Sequence, residues 1–220
     1  MINGIDVSRW QGVIDFERVK QSGIDFVIIK AGGSDYGFYT DRNFRSNYEK
    51  AKAAGLNVGC YYFVGKKFLG AESGKADALR FIDMIKGMQF EYPVYVDIET
   101  TPAQCKAAAT EAAIAFCETM ENAGYFVGIY ASDISGFKEK LDINSLKSYA
   151  HWVARYGSEP KYDTDWQMWQ YSSKGSVPGI SGSVDLDQSK IDYSNIMKKK
   201  GLNGFPKPTK AKKAQKEVTE

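Results

Sequence analysis

Short apolar runs recur along the chain at residues 4–7, 26–30, 58–63, 94–99 and 126–130, separated by polar stretches and turn residues. Runs of this length between turn signals read as buried strands. Between them the apolar positions change to helical spacing, with Phe16 and Val19, then Phe44, Tyr48 and Ala51, then Ala78, Phe81, Ile82 and Ile85 falling on single faces. The longest such segment, 103–122, ends just before Gly124, which suits a helix C-cap. Strand and helix in alternation, with strands apolar on both faces, predict a parallel sheet covered by helices. After Tyr130 the rhythm changes: runs at 151–156, 166–171 and 184–187 follow one another with little room for full helices. Eight strands in a single α/β domain of this size predict a closed, TIM-like barrel whose last third lacks its outer helices. An open doubly wound sheet would be the alternative, but no GxGxxG follows the first strand.

The 220 residues are 43% hydrophobic and 25% charged, ordinary for a globular chain, and no apolar run reaches the roughly 18 residues needed to span a bilayer. The first six residues, Met1 to Asp6, have neither the basic nor the apolar region of a secretory signal. Cys60, Cys105 and Cys117 are odd in number with no CxxC spacing, so they read as small buried hydrophobes. His151 is the single histidine, which argues against a zinc site. From residue 198 onward eight lysines face only Glu217 and Glu220, giving +6 against a formal total of +2, and so about −4 on residues 1–197. The expected organisation is therefore one barrel domain over 1–197 and a basic, disordered tail or linker over 198–220.

Candidate chemistry concentrates at strand ends. If Val94-Tyr95-Val96-Asp97-Ile98-Glu99 is a strand, its period of two places Tyr95, Asp97 and Glu99 on one face and the aliphatic residues on the other. In a barrel the first face points inward, and its C-terminal end is where such barrels hold their active sites. Two neighbouring carboxyls there are costly to ionise together, so one keeps its proton and can serve as a general acid. Asp6 ends the first strand and Asp185 lies in the last; closure makes those strands neighbours and brings four carboxyls, Asp6, Asp97, Glu99 and Asp185, to one mouth. Tyr61, Tyr62, Tyr130, Trp152, Trp169 and Tyr171 recur near the same ends, and aromatic faces suit stacking on sugar rings. A carboxylate cluster could instead hold Mg²⁺ or Ca²⁺ for phosphodiester hydrolysis, but the arginines are scattered and no phosphate loop is present.

The residues Gly4-Ile5-Asp6-Val7-Ser8 with Trp10-Gln11-Gly12, Val58-Gly59-Cys60-Tyr61-Tyr62-Phe63, Pro93-Val94-Tyr95-Val96-Asp97-Ile98-Glu99, Gly128-Ile129-Tyr130, Trp152-Val153-Ala154, Trp169-Gln170-Tyr171 and Val184-Asp185-Leu186 occur in that order. In this the chain resembles the glycoside hydrolase family 25 lysozymes, the Chalaropsis-type N-acetylmuramidases of phage endolysins and autolysins, from about residue 5 to about residue 193. The resemblance implies a (β/α)5β3 barrel and hydrolysis of the β-1,4 bond between N-acetylmuramic acid and N-acetylglucosamine. It implies Glu99 as general acid/base and Asp97, Asp6 and Asp185 around the sugar, with Asp97 either attacking or steadying the substrate acetamido group. Lys30-Ala31-Gly32-Gly33 and Tyr61-Tyr62-Phe63 depart from the pattern, where many relatives carry an acid and a histidine.

The partner expected is thus the glycan strand of bacterial peptidoglycan, met by a monomer acting on the cell wall, as a phage lysin released at lysis or a secreted protein without its leader. Neither a cofactor, a metal, a nucleic acid nor a membrane is called for. A glycan-binding barrel without catalysis and a metal-dependent phosphodiesterase are the alternatives.

Overall fold

The computed structural model describes residues 1–208. In chain order it contains β1 (Ile2–Val7), α1 (Phe16–Gln21), β2 (Phe26–Gly33), β3 (Tyr39–Thr40), α2 (Phe44–Ala53), β4 (Asn57–Phe63), α3 (Ala71–Ile85) and β5 (Val94–Asp97). Then follow α4 (Lys106–Asn122), β6 (Val127–Ser132), β7 (Ala150–Ala154), β8 (Met168–Gly175), β9 (Val184–Ser189) and α5 (Tyr193–Lys200). Seven strands, β1, β2, β4, β5, β6, β7 and β8, run parallel around a barrel, and β9 closes it antiparallel to both β8 and β1. The short β3 folds back on the end of β2, pairing Gly33 with Tyr39. Between β6 and β7 the fifth helix is reduced to a π-helical turn at Asp133–Lys138 and a 3-10 turn at Ile143–Leu146. This is a single modified TIM-like barrel with helices lost from its last third.

The alternation along each strand divides the core in two. Val94, Val96, Val27, Ile29, Val58 and Cys60 face outward to α2, α3 and α4 in the larger cluster, while Phe26, Ile28, Tyr95, Trp152 and Met168 fill the barrel. Large rings fit inside because glycines stand beside them. A Cβ on Gly4 would lie 2.2 Å from the ring of Phe26, its neighbour across β1–β2, and one on Gly128 would lie 2.4 Å from the ring of Tyr95. Cys60 and Cys117 are buried as expected, whereas Cys105 is only half-buried.

The expected domain boundary after residue 197 falls inside α5, so the sequence reading is corrected there. Composition switches to lysine at 198, but Tyr193 and Met197 already anchor the same helix under the barrel, against Tyr92 and Phe126. The chain then turns at Gly201, in the left-handed conformation, and seats Asn203 wholly in the interior. Asn203 Nδ2 donates to the Tyr92 carbonyl (2.8 Å), Asn203 Oδ1 accepts from the Phe126 amide (2.7 Å), and its backbone bonds to Phe90 and Gly124. All four partners lie just before strands β5 and β6, so this segment seals the end of the barrel opposite the strands' C-terminal ends. Residues 209–220 of the expected tail lie outside the described residues.

Candidate active site

The parallel strands deliver Asp6, Lys30, Tyr61, Asp97 and Tyr130 to one mouth. Asp97 is the last residue of β5 and is buried, 3% exposed. Glu99 lies two residues beyond the strand rather than in it. Its position is nevertheless fixed: the Ile98 amide bonds to the Tyr130 carbonyl (2.9 Å), Ile98 is fully buried, and Lys140 Nζ donates to the Glu99 carbonyl. Glu99 is therefore open to solvent at the rim while Asp97 is sealed behind it.

Burial raises the Asp97 carboxyl well above the usual range, and the charge of Glu99 adds to this; Lys30 opposes it. Partial withdrawal from water raises Glu99 too, against the lowering by its hydrogen bond to Asp97 and by Lys30 and Lys140. The two carboxyls act on each other, so they take up and release protons as a pair. Asp97 Oδ1 is buried with no hydrogen-bond partner among the described residues.

The second acidic group straddles the barrel's closing seam. Asp6 and Asp185 are direct partners across β1 and β9, and Asp187, one step deeper on the same face of β9, is fully buried. Burial and the charges of Asp187 and Asp185 raise the Asp6 carboxyl strongly. Burial pushes Asp187 up to about 8 and Asp185 up to about 6, the latter helped by the charge of Glu99. Gln170 Nε2 donates to Asp6 Oδ2 (2.7 Å), and its Oε1 accepts from the hydroxyls of Tyr130 (2.9 Å) and Tyr156 (3.1 Å). Three strands, β1, β6 and β8, and the segment after β7 thus share one hydrogen-bonded frame centred on Gln170.

The six aromatic candidates separate by face. Tyr61 points inward beside Trp152, with ring centroids 6.0 Å apart, and Tyr130 packs on the same indole at 4.4 Å. Trp152 is 1% exposed and forms floor rather than wall. Tyr62 points the other way: it packs against Phe81 and Phe116 under α3 and α4, and its hydroxyl bonds to Asp77 (3.1 Å). Adjacent residues on a strand cannot share a face, so placing Tyr61 and Tyr62 in one groove is corrected. Trp169 and Tyr171 flank the inward Gln170 on β8 and hence face outward, their rings 5.6 Å apart and tilted by 57°, with Trp169 Nε1 bonded to the Arg155 carbonyl (2.7 Å). Sequence reasoning missed Gln170, Asp187, Lys30 and the exposed Tyr156. Their signal was the same alternation that marked Asp97 and Asp185.

Such a mouth sets a rim carboxyl beside a sealed second carboxyl with which it shares a proton, which is equipment for acid catalysis at a glycosidic oxygen. The sequence profile of "Glycosyl hydrolases family 25" matches residues 5–180. The chain is 35% identical to the autolytic lysozyme of Clostridium acetobutylicum over 188 residues, 85% of this chain but 55% of that protein. Its fold is similar to that of the CTP1L endolysin (TM-score 0.78, 28% identity, 90% of this chain and 70% of that one). It is also similar to a bacterial lysozyme from Streptomyces coelicolor (TM-score 0.72, 26% identity, 92% and 97%). A match spanning β1 to the turn before β9, on a barrel of the same fold as these lysozymes, assigns the chain to glycosyl hydrolases family 25.

Proposed function

We propose that the protein hydrolyses the β-1,4 bond between N-acetylmuramic acid and N-acetylglucosamine in bacterial peptidoglycan, acting as a lysozyme on the cell wall. The observation that carries this reading is the pair formed by the exposed Glu99 and the sealed Asp97. Glu99 is the carboxyl that a leaving glycosidic oxygen can reach, and it acts as general acid and then as base. In the free protein, deeper burial favours keeping the pair's proton on Asp97. A sugar bound across the mouth removes water from Glu99 and offers an acetamido N–H to the unpartnered Asp97 Oδ1. Both changes move the proton toward Glu99, where the chemistry needs it. Asp97, then ionised, either attacks the anomeric carbon or steadies the acetamido group as it attacks; both routes retain configuration. Asp6 and Asp185 would line the sugar site, with Tyr61, Tyr130 and Tyr156 around it.

The names of the relatives, an autolytic lysozyme, an endolysin and a bacterial lysozyme, support the substrate class. The phosphodiesterase alternative lacks a cage, since among the described residues no three histidine, cysteine or acidic side chains are grouped to hold a metal ion. No helix among them is long and apolar enough to cross a membrane. The test is digestion of purified peptidoglycan, borohydride reduction and mass spectrometry of the fragments. New muramitol ends that disappear with Glu99→Gln are expected. Reducing ends on N-acetylglucosamine instead would reassign the bond, and their absence altogether would leave a binding barrel.

A further inference from the structure

The wall of the mouth built by β1, β2 and β4 carries charge of the opposite sign to its floor. Two cavities lie along it. One, of about 680 Å³, is lined by Lys66, Lys67, Tyr36 and by Phe63 and Thr100, the neighbours of the catalytic pair. The other, of about 440 Å³, is lined by Arg9, Arg42, Tyr39 and again Tyr36. Tyr36, 94% exposed, stands between them, and Trp10, 76% exposed, lies under the Arg9 guanidinium, 4.8 Å from its ring centre. Large aromatics left in water beside cations mark a surface kept for a partner.

Four cations share this rim, and none of them enters an ion pair among the described residues. On the opposite flank, by contrast, Arg155 is engaged by Asp133 at 2.7 Å. Asp35 is the one acid lining either cavity, and its Oδ1 is buried with no hydrogen-bond partner among the described residues. The rim is also held in shape. Ser8 and Gln11 form a reciprocal cap around the Arg9–Gln11 turn, and the buried Asp41 accepts from the Arg9 amide (3.1 Å) and the Asn43 amide (2.9 Å). Lys30 Nζ, 4.2 Å from the ring centre of Phe63, continues the positive track into the mouth. A chain body of net charge about −4 thus gathers unpaired cations on one side of its groove.

We propose that this rim binds the anionic groups that hang from the glycan strand, so that the enzyme reads the substituents of its substrate and not only the sugars. This rests on the peptidoglycan reading above. The ligand chemistry is a carboxylate on a flexible arm, that of the peptide on the lactyl group, because the larger cavity is lined by Phe63 and Thr100 and so adjoins the sugar that carries the lactyl arm. Arginines and lysines on a preformed rim give such groups steering and a lower KM, and the effect is screened by salt.

The experiment compares wild type with Arg9→Gln/Arg42→Gln, with Lys66→Gln/Lys67→Gln, and with Lys86→Gln/Lys199→Gln, which removes the same charge far from the mouth. Substrates are one cell-wall preparation left intact, stripped of peptide by an amidase, stripped of phosphodiester polymer by hydrofluoric acid, or stripped of both. Release of reducing ends gives kcat/KM at about 50 and about 300 mM salt. Binding of the same set in a Glu99→Gln background, by co-sedimentation with the walls, gives a readout independent of turnover. On intact wall the rim variants are expected to lose about tenfold in kcat/KM at low salt through KM, and to lose most of the salt dependence, while the control pair does neither. The difference is expected to vanish on wall stripped of peptide; a difference that persists there and vanishes only on wall stripped of phosphodiester polymer would overturn the proposal. Equal losses on intact and doubly stripped glycan, or no loss on any, would overturn the proposal. Failure of wild type to cut even bare glycan would instead overturn the muramidase reading, and the sedimentation data would still decide the rim.

Discussion

The indole of Trp152 donates to Asp187 Oδ1 at 2.8 Å, which leaves Asp187 Oδ2 buried and facing the carboxyl of Asp6 with no donor besides. Two carboxyls in that contact keep a proton between them. Asp187 in the folded protein holds on until about pH 8, whereas the unfolded chain releases its proton near the ordinary value of 3.8. Between those values the folded state binds more protons than the unfolded one, so stability falls as pH rises. Asp187→Asn is expected to flatten the dependence of Tm on pH between about 4 and 8 and to melt higher than wild type at pH 8, by roughly 2–4 °C for each kcal/mol regained. Thermal melts across that range check it; an unchanged slope would show that Asp187 is ionised in the fold.

Replacing Glu99 by Gln removes the transferable proton with almost no change of volume. Loss of about 10²–10⁴ in kcat is expected, with binding of the glycan retained. Asp97→Asn is expected to cost about 10²–10³ through lost charge stabilisation. Reducing-end assays with wall-binding controls check both, and near-normal turnover in the Asp97 variant would pass its role to Asp6 or Asp185.

Lys30 lowers both members of the Asp97–Glu99 pair. Without its charge, ionising Asp97 and deprotonating Glu99 each become harder, so both limbs of the pH–rate profile move the same way. Lys30→Met is expected to shift the optimum of kcat upward by about one pH unit. A profile that only loses height would assign Lys30 to substrate contact alone.

Asn203→Ala strips the buried Phe126 amide and Tyr92 carbonyl of their partners. A loss of about 1–3 kcal/mol per unsatisfied group is expected from urea unfolding. Activity per folded molecule should stay, because Asn203 lies at the end of the barrel away from Asp97. A neutral substitution would mean that water replaces the side chain.

All eight barrel strands were legible, as apolar runs bounded by turns or, for β9, as the alternation Val184-Asp185-Leu186-Asp187. So were the carboxyls of Asp6, Asp97, Glu99 and Asp185, through their places at strand ends. What misled was the use of residue type without phase. Tyr61 and Tyr62, or Trp169, Gln170 and Tyr171, look alike as an aromatic cluster, yet alternation sends Tyr62, Trp169 and Tyr171 outward and leaves the modest Gln170 at the centre. Glu99 was placed correctly at the mouth for a reason that fails, since β5 ends at Asp97 and a loop carries it. Lysine content at 198 hid an ordered seal, because a helix that buries one stripe tolerates lysine on the rest. The cationic rim was invisible because Arg9, Arg42, Lys66 and Lys67 meet only through the return of β3 onto β2.

The seam between β1 and β9 sets when the site can exist during synthesis. Asp6 precedes the strand that pairs with it, and the carboxyls of Asp185 and Asp187, by almost the whole length of the barrel sequence. A ribosome-bound chain that has reached α4 or β7 has its acid pair without the opposite wall, and a barrel that cannot close. Closing contacts of such sequence separation also slow folding, since the entropy of closing the long loop comes before the contacts repay it. The complete mouth, with both of its acidic groups, is thereby withheld from the nascent and partly folded chain until the final barrel strand docks.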